Sequence, residues 1–168
     1  SVMTGLAGVN LYYAEKLLDW TVKFSCAINE LVQTYDDHFS PELNNAKQHT
    51  GQQDIAKLMR EFLADSKRTR KRAEHLYQGE HNETVFKEKV QEYYSLRCVP
   101  QILGPVLDTL QHTQRIFEEE LNSANDNPIV DLPTQQVYHG GNFHGDYISL
   151  EMDKLKLVVT RMAMLAER

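Results

Sequence analysis

The side chains of Gln91, Tyr94 and Arg97 offer three kinds of chemistry at a regular spacing of three residues. If this stretch is helical, that spacing puts them on adjacent turns of one helical face. The guanidinium of Arg97 can bind a carboxylate through two parallel charge-assisted hydrogen bonds. A phenol beside a cation can donate or accept a proton, and an amide can orient a second polar group. On spacing alone a structural alternative stands, in which Arg97 pairs with a glutamate and Tyr94 is a core aromatic residue.

A second polar set lies in the segment His139-Gly-Gly-Asn-Phe-His144, which is followed closely by Asp146. Two histidines and a carboxylate form a set that a transition metal accepts. No further cluster of cysteine or histidine supports a metal site, and paired glycines suggest that the backbone approaches another group closely. We therefore expect no metal here.

Two further motifs favour structural roles. The turn Glu120-Leu-Asn-Ser-Ala-Asn-Asp-Asn-Pro128 ends a predicted helix, whose free carbonyl and amide groups its polar side chains can satisfy. The segment His49-Thr-Gly-Gln52 precedes another predicted helix, and Gly51 would permit a tight approach there.

Together these motifs resemble the histidine and aromatic amino-acid ammonia-lyase family, in particular the central part of a bacterial-type histidine ammonia-lyase. Residues 91–101 read Gln-x-x-Tyr-Ser-Leu-Arg-Cys-x-Pro-Gln, with every fixed position of a family signature present. The resemblance implies that Tyr94 is catalytic and handles a proton. It also implies that Arg97, Gln91 and Phe143 bind the substrate, with Arg97 holding its α-carboxylate.

The same resemblance implies supporting roles for three residues in the glycine-rich and Asp-Asn-Pro motifs. Asn142 and His144 would brace the loop that carries the phenylalanine, and Asn127 would help to position the active-site loops.

The prosthetic group that the resemblance implies cannot be made by this chain. The family uses methylidene-imidazolone (MIO), formed by cyclisation of an Ala-Ser-Gly tripeptide that does not occur in this sequence. None of the ordinary side chains is a comparable electrophile. We therefore expect an internal fragment that is inactive alone, from a parent that converts L-histidine to trans-urocanate and ammonia. The alternatives are a tyrosine or phenylalanine ammonia-lyase, or an aminomutase.

The resemblance further implies a homotetramer whose active sites draw on more than one chain, acting on a small amino-acid substrate in the cytoplasm. The formal charge of −6 gives no reason to expect nucleic acid, and no apolar run approaches the roughly 20 residues that span a bilayer. Cys26 and Cys98 are expected to be free thiols in a reducing compartment. The alternative from another functional class is a non-catalytic helical oligomerisation module.

Hydrophobic periodicity predicts that residues 1–168 form a single all-α domain, a bundle of long helices. Several helices are apolar on more than one face, so we expect subunit association to bury part of their surface. The predicted elements are helices over 6–34, 52–65, 99–122 and 148–167, a charged loop or solvated helix over 66–82, a short helix or turn over 84–94, and an irregular loop over 122–145 with one candidate strand at 137–138.

Overall fold

The structure is a computed structural model that describes residues 2–76 and 89–168. The helices and strands are α1 Val2–Leu31, a 3-10 turn Asp36–Phe39, α2 Pro41–Asn45, α3 Thr50–Phe62, α4 Arg72–His75, α5 Tyr94–Arg97, α6 Val99–Leu121, β1 Ile129–Asp131, β2 Gln136–Tyr138 and α7 Asp146–Glu167. The all-α prediction is confirmed. The one sheet among the described residues is an antiparallel hairpin of β1 and β2 within the predicted irregular loop.

Helices α1, α6 and α7 pack side by side and form most of the core, and α3 packs across α6. One end of this bundle, the hairpin end, is marked by Gly8 of α1 lying against the ring of Phe117 near the end of α6. The other end, the turn end, is marked by a hydrogen bond from Asn29 to the carbonyl of Leu96 in α5. Helix α6 therefore runs antiparallel to α1.

The buried side of α1 is a stripe of mainly small and medium residues spaced three or four apart. Its members are Thr4, Ala7, Leu11, Ala14, Leu18, Val22, Cys26 and Asn29. The bulkier apolar residues of the predicted helix lie on the opposite side, which we name the outer face of α1. Its members, all at least half exposed, are Val9, Tyr12, Tyr13, Trp20, Phe24 and Ile28.

Glycines allow α3 and α6 to cross closely. A Cβ added to Gly104 would lie 2.6 Å from the backbone nitrogen of Gln52, and one added to Gly51 would lie 2.6 Å from Oδ1 of Asp108. Such distances are too short for a carbon atom, so both positions require glycine at this separation. The predicted close approach at Gly51 is confirmed, although Gly51 lies within the first turn of α3 instead of before the helix.

The described part of the charged segment, residues 66–76, has no buried residue and is attached to the 3-10 turn through Arg72. Arg72 donates to Asp37 from Nε to Oδ2 at 2.6 Å and from Nη2 to Oδ1 at 3.1 Å. Its guanidinium carbon also lies 4.1 Å from the centre of the Tyr35 ring. Residues 77–82 of that segment, and residues 84–88 of the predicted short helix, lie outside the described residues.

The hydrophobic periodicity of the helix predicted over 99–122 also predicts that Leu121 faces inward, and the structure contradicts this because Leu121 is 57% exposed. It lies in the last turn of α6, beyond Ile116, the final buried position of that helix. Among the described residues, no helix combines the length and apolar character needed to cross a membrane.

Candidate active site

Tyr94 and Arg97 are the first and last residues of α5, a single helical turn at the turn end of the bundle. Arg97 N donates to Tyr93 O at 3.1 Å, and Cys98 N donates to Tyr94 O at 2.9 Å. Gln91 lies before this turn, outside any helix. The single helical face expected for all three side chains is therefore not formed, since only Tyr94 and Arg97 share the helix.

The guanidinium of Arg97 lies beside the ring of Tyr94, with 5.0 Å between the guanidinium carbon and the ring centre. That distance is within the range of a cation–π contact, which holds a cation next to the phenol. Tyr94 is 72% exposed, so the residue is accessible to a group approaching from outside the chain.

Arg97 has an unsatisfied donor. Its Nε is buried and has no hydrogen-bond partner among the described residues, and the same holds for Oε1 of Gln101 nearby in sequence. Because an unpaired buried donor is costly, native structures almost always supply an acceptor. No carboxylate in residues 2–76 or 89–168 pairs with Arg97, so the structural alternative of an Arg–Glu pair is not seen there.

The loop at the hairpin end is held by asparagine side chains. Oδ1 of Asn127 accepts a hydrogen bond from Gly140 N at 2.7 Å, and Nδ2 of Asn142 donates to Ala124 O at 3.3 Å. These bonds join the start of the loop to its glycine-rich part. The Asn127–Pro128 peptide bond is cis.

Polar side chains also close the end of α6, as the sequence predicts. Nδ2 of Asn122 donates to Glu118 O at 2.8 Å, and the Ser123 hydroxyl donates to Glu119 O at 2.6 Å. The Glu119 carbonyl, which receives no backbone N–H from the described residues at this terminus, is thereby satisfied, and the Glu118 carbonyl gains a second donor besides Asn122 N.

Phe143 lies at the surface of this loop and is 63% exposed. Within the described residues, nothing lies within 4 Å of a Cβ added at Gly140 or Gly141, so the close approach expected at these glycines is not seen. His144 Nδ1 is 3.8 Å from Asp146 Oδ1, and both side chains are exposed. In residues 2–76 and 89–168, no three His, Cys, Asp or Glu side chains are grouped to hold a metal ion.

The two candidate regions lie at opposite ends of the bundle. Helix α6 has 23 residues and follows the Arg97 turn, and α7 has 22 residues and follows Phe143. At a rise of 1.5 Å per residue, each helix is about 33 Å long. Within one chain, Phe143 and Arg97 are therefore too far apart to contact the same amino acid.

Two buried residues near the turn end escaped the sequence analysis. Asn29 is fully buried and bonds to the α5 carbonyl of Leu96. The helical periodicity could have identified Asn29, because it occupies a position of the buried stripe of α1 where an apolar residue is expected. A polar residue in such a position is retained only if its hydrogen bonds are satisfied.

The second of these residues is His38, which is 5% exposed. Burial lowers the pKa of His38; the charges of Arg72 and Arg97 lower it further, while the carboxylates of Asp37 and Glu92 oppose them. The imidazole is therefore favoured in its neutral form. The sequence provides little indication that His38 is buried, because it follows two aspartates and such a polar segment is typical of a surface.

Comparison with known proteins gives a consistent picture. The family model described as aromatic amino acid lyase matches residues 1–168. A tyrosine 2,3-aminomutase of Myxococcus sp. (strain Mx-B0) is 40% identical over 174 residues, covering 100% of this chain and 33% of the relative. A histidine ammonia-lyase of Myxococcus xanthus (strain DK1622) is 38% identical over 130 residues, covering 77% of this chain and 23% of the relative.

Among solved structures, the phenylalanine aminomutase of Pantoea agglomerans superposes with a TM-score of 0.89 at 35% identity, covering 99% of this chain and 33% of that one. The chain thus spans about a third of the length of these relatives, or less. The family match covers every residue, and the relatives act as carbon–nitrogen lyases or aminomutases by name. By sequence and by fold, this chain belongs to the aromatic amino acid lyase family.

Proposed function

We propose that this chain is a central part of an ammonia-lyase or aminomutase that acts on an aromatic amino acid, and that Arg97 and Tyr94 belong to its active site. We call the full-length enzyme that would contain the chain the parent enzyme. The observation that carries the proposal is the guanidinium of Arg97, which is partly buried, beside an exposed phenol, and without a carboxylate partner among the described residues.

In this proposal Arg97 binds the α-carboxylate of the substrate through its planar fork of donors. Tyr94 then holds or moves a proton next to the bound substrate, because this exposed phenol lies beside that cation. Gln91 would assist from the segment before α5, and Phe143 would contact a substrate ring from the other end of another copy.

The residues of this chain fit a position beside an MIO group that is formed by another segment. The chain has no Ala-Ser-Gly from which to form it. The exposed Tyr94 and Phe143 and the unpaired Nε of Arg97 fit a site that another segment completes. When present, the group supplies the electrophile that activates the substrate for loss of ammonia. The residues of this chain would bind and orient the amino acid beside it.

The candidate substrates are L-histidine, L-tyrosine and L-phenylalanine. Histidine, with urocanate as product, is the expectation from the sequence. The alternative, a tyrosine or phenylalanine ammonia-lyase or aminomutase, is supported about equally. Relatives named as tyrosine 2,3-aminomutases are matched over the whole chain at up to 40% identity, and a phenylalanine ammonia-lyase is matched over 97% of it at 37% identity. Incubating the parent enzyme with L-histidine, L-tyrosine and L-phenylalanine, and resolving unsaturated acids from β-amino acids, separates these possibilities.

The proposal includes a cytoplasmic homotetramer. The outer face of α1 supports association, because aromatic residues such as Trp20 and Phe24 are more than half exposed there. Contiguous apolar surface of this kind on a helix is normally covered by another subunit. We therefore expect copies of the parent enzyme to associate through this face.

The test is a pair of substitutions in the parent enzyme. Lysine offers a point charge in place of a bidentate fork, so Arg97→Lys should lower kcat/KM by roughly ten- to a thousandfold, about 1.4–4 kcal/mol. Tyr94→Phe should lower kcat chiefly, because it removes the hydroxyl and leaves carboxylate binding in place. Steady-state kinetics on the preferred amino acid measures both effects.

Arg115→Lys is the matched control, since Arg115 is an exposed residue of α6 that pairs with Glu119 at 2.8 Å. It should leave both kinetic constants unchanged. Wild-type kinetics for Arg97→Lys on all three amino acids would refute the carboxylate role, and would favour a purely structural role for Arg97 within the helix bundle.

A further inference from the structure

We propose that Asn29 is a positioning residue that fixes the Tyr94–Arg97 turn, and through it the orientation of the carboxylate-binding guanidinium. The inference rests on the proposed function of Arg97 and adds to it a residue from α1. Asn29 does not touch the substrate in this proposal, so its effect is transmitted through the backbone of α5.

The side-chain amide of Asn29 joins three partners at the turn end. Its Nδ2 donates to Ser25 O at 2.8 Å and to Leu96 O at 3.4 Å, and its Oδ1 accepts from the Thr34 hydroxyl at 2.8 Å. Because both partners of Nδ2 are carbonyl oxygens, only one orientation of the amide satisfies all three bonds. Asn29 and Thr34 are both fully buried, so water does not compete for these groups.

The carbonyl of Leu96 has a specific need for this donor. In a continuous helix it would accept from the backbone N–H four residues later, but that residue is Pro100, which has no N–H. No backbone N–H of the described residues donates to Leu96 O in its place. The Asn29 amide supplies the missing donor, and Leu96 immediately precedes Arg97.

The stability of the helical turn α5 depends on hydrogen bonds from other elements, such as the one from Asn29. It has only four residues and no side-chain hydrogen bond at its N-terminal cap. A single turn is not stable by itself, because helix nucleation is unfavourable. The position of Arg97 relative to the bundle is therefore set by the contacts that hold the turn, and Asn29 provides one of these from the rigid helix α1.

Asn44 provides a matched control elsewhere in the fold. It is also fully buried, its Nδ2 donates to His38 O at 3.1 Å and Ser40 O at 3.0 Å, and its Oδ1 accepts from Gln52 at 3.1 Å. It thus has the same residue type, burial and number of partners, but none of its partners belongs to α5. Leucine approximates the shape of asparagine and removes all three bonds at either position.

The experiment compares Asn29→Leu with Asn44→Leu in the parent enzyme. The readouts are Tm, kcat, KM and the inhibition constants of an unsaturated acid product and its neutral amide. The probes are trans-4-coumarate and its amide for a tyrosine-specific parent, or urocanate and its amide for a histidine-specific one. The ratio of the two inhibition constants reports how well the carboxylate is recognised, and it does not depend on the fraction of folded enzyme.

Both variants should lower Tm by a similar amount, since each loses the same set of bonds. Asn29→Leu should also lower kcat/KM about tenfold or more and shrink the amide-to-acid ratio of inhibition constants at least about threefold. Asn44→Leu should leave that ratio unchanged. Equal ratios in the two variants would overturn the positioning role and make Asn29 a purely structural residue.

If Asn29→Leu does not fold, Thr34→Val serves instead, because it removes only the hydroxyl that orients the amide. Thr34→Val should reduce the amide-to-acid ratio of inhibition constants by a smaller factor than Asn29→Leu. An unchanged ratio overturns the inference. Arg97→Lys distinguishes failure of the Asn29 positioning role from failure of the carboxylate role of Arg97. If the amide-to-acid ratio falls for Arg97→Lys and does not change for Asn29→Leu, only the positioning role of Asn29 is rejected. If the ratio does not change for Arg97→Lys, the proposed carboxylate role of Arg97 and the positioning role of Asn29 are both rejected.

Discussion

Thr113 of α6 and Glu151 of α7 form a buried connection that can be tested by removing one hydroxyl. The Thr113 hydroxyl donates to Oε2 of Glu151 at 3.0 Å, and Lys154 Nζ donates to Oε1 at 2.6 Å. His112 Nε2 lies 3.5 Å from Oε1. The Glu151 side chain is only 4% exposed, so it depends on these partners in place of water.

Thr113→Val keeps the shape of the side chain and removes the donor. Hydrogen bonds to charged groups contribute about 1.5–3 kcal/mol, and Glu151 keeps its other partners. We therefore expect the free energy of unfolding at pH 7 to fall by about 2 kcal/mol. Urea denaturation at a fixed chain concentration, followed by circular dichroism at 222 nm, measures the change.

The effect should depend on pH. Burial raises the pKa of Glu151, but hydrogen bonds from Lys154 and Thr113, with the charges of Lys154 and His112, outweigh it and hold the pKa below its ordinary value. A carboxyl with a lowered folded-state pKa stabilises the fold above its unfolded pKa of about 4.3, and this contribution is lost as pH falls through the folded value. Without Thr113 the folded pKa rises, so the difference between the two proteins should narrow as pH falls below that unfolded value.

Thr109→Val is the control, because Thr109 lies on the same helix and its exposed hydroxyl donates only to Pro105 O at 2.7 Å. Its effect should stay within about 0.5 kcal/mol and should not vary with pH. A Thr113→Val effect no larger than this control, or one that is constant from pH 7 to pH 3, would refute an ionised Glu151 held by Thr113.

Two further outcomes follow from packing and burial. Gly104→Ala should lower the free energy of unfolding by about 1–3 kcal/mol, since its Cβ would lie 2.6 Å from Gln52 N, and urea denaturation measures this. Gly5→Ala is the matched control with nothing within 4 Å, and it should stabilise α1 by about 0.5 kcal/mol; a similar loss at both positions would contradict the close α3–α6 crossing. Burial raises the pKa of Cys26 to about 12, so its thiol should resist iodoacetamide at pH 8 until the chain unfolds. Peptide mapping by mass spectrometry checks this, and rapid labelling of the folded chain would contradict it.

The helices were predictable because their signals are local. Hydrophobic periodicity, together with proline and glycine at the helix boundaries, indicated the four long helices to within a few residues. The sequence was a poorer guide to which face of each helix is buried. On α1 the small and medium residues are buried and the aromatic residues Trp20 and Phe24 are exposed, because burial depends on which helix packs against each face.

The candidate site was predictable as a set of residues and not as an arrangement. Gln91 falls outside α5 because the chain is extended at Tyr93, which periodicity alone does not reveal. The anchoring of Arg72 by Asp37 joins residues 35 positions apart, and no local pattern records such a contact. Likewise, the donor that Asn29 provides to Leu96 O becomes visible only once α1 is placed against α5.

The length of α6 and α7 has a genetic consequence if the proposed function holds. Since Arg97 and Phe143 are separated by about 33 Å in one chain, a complete site would combine the turn end of one copy with the hairpin end of another. A copy defective at the turn end still has a sound hairpin end, and the reverse is true of a copy defective at Phe143. In a cell expressing both alleles, mixed assemblies would contain some sites built from two intact halves. Two individually inactive alleles would then complement each other, whereas two alleles damaged at the same end would not.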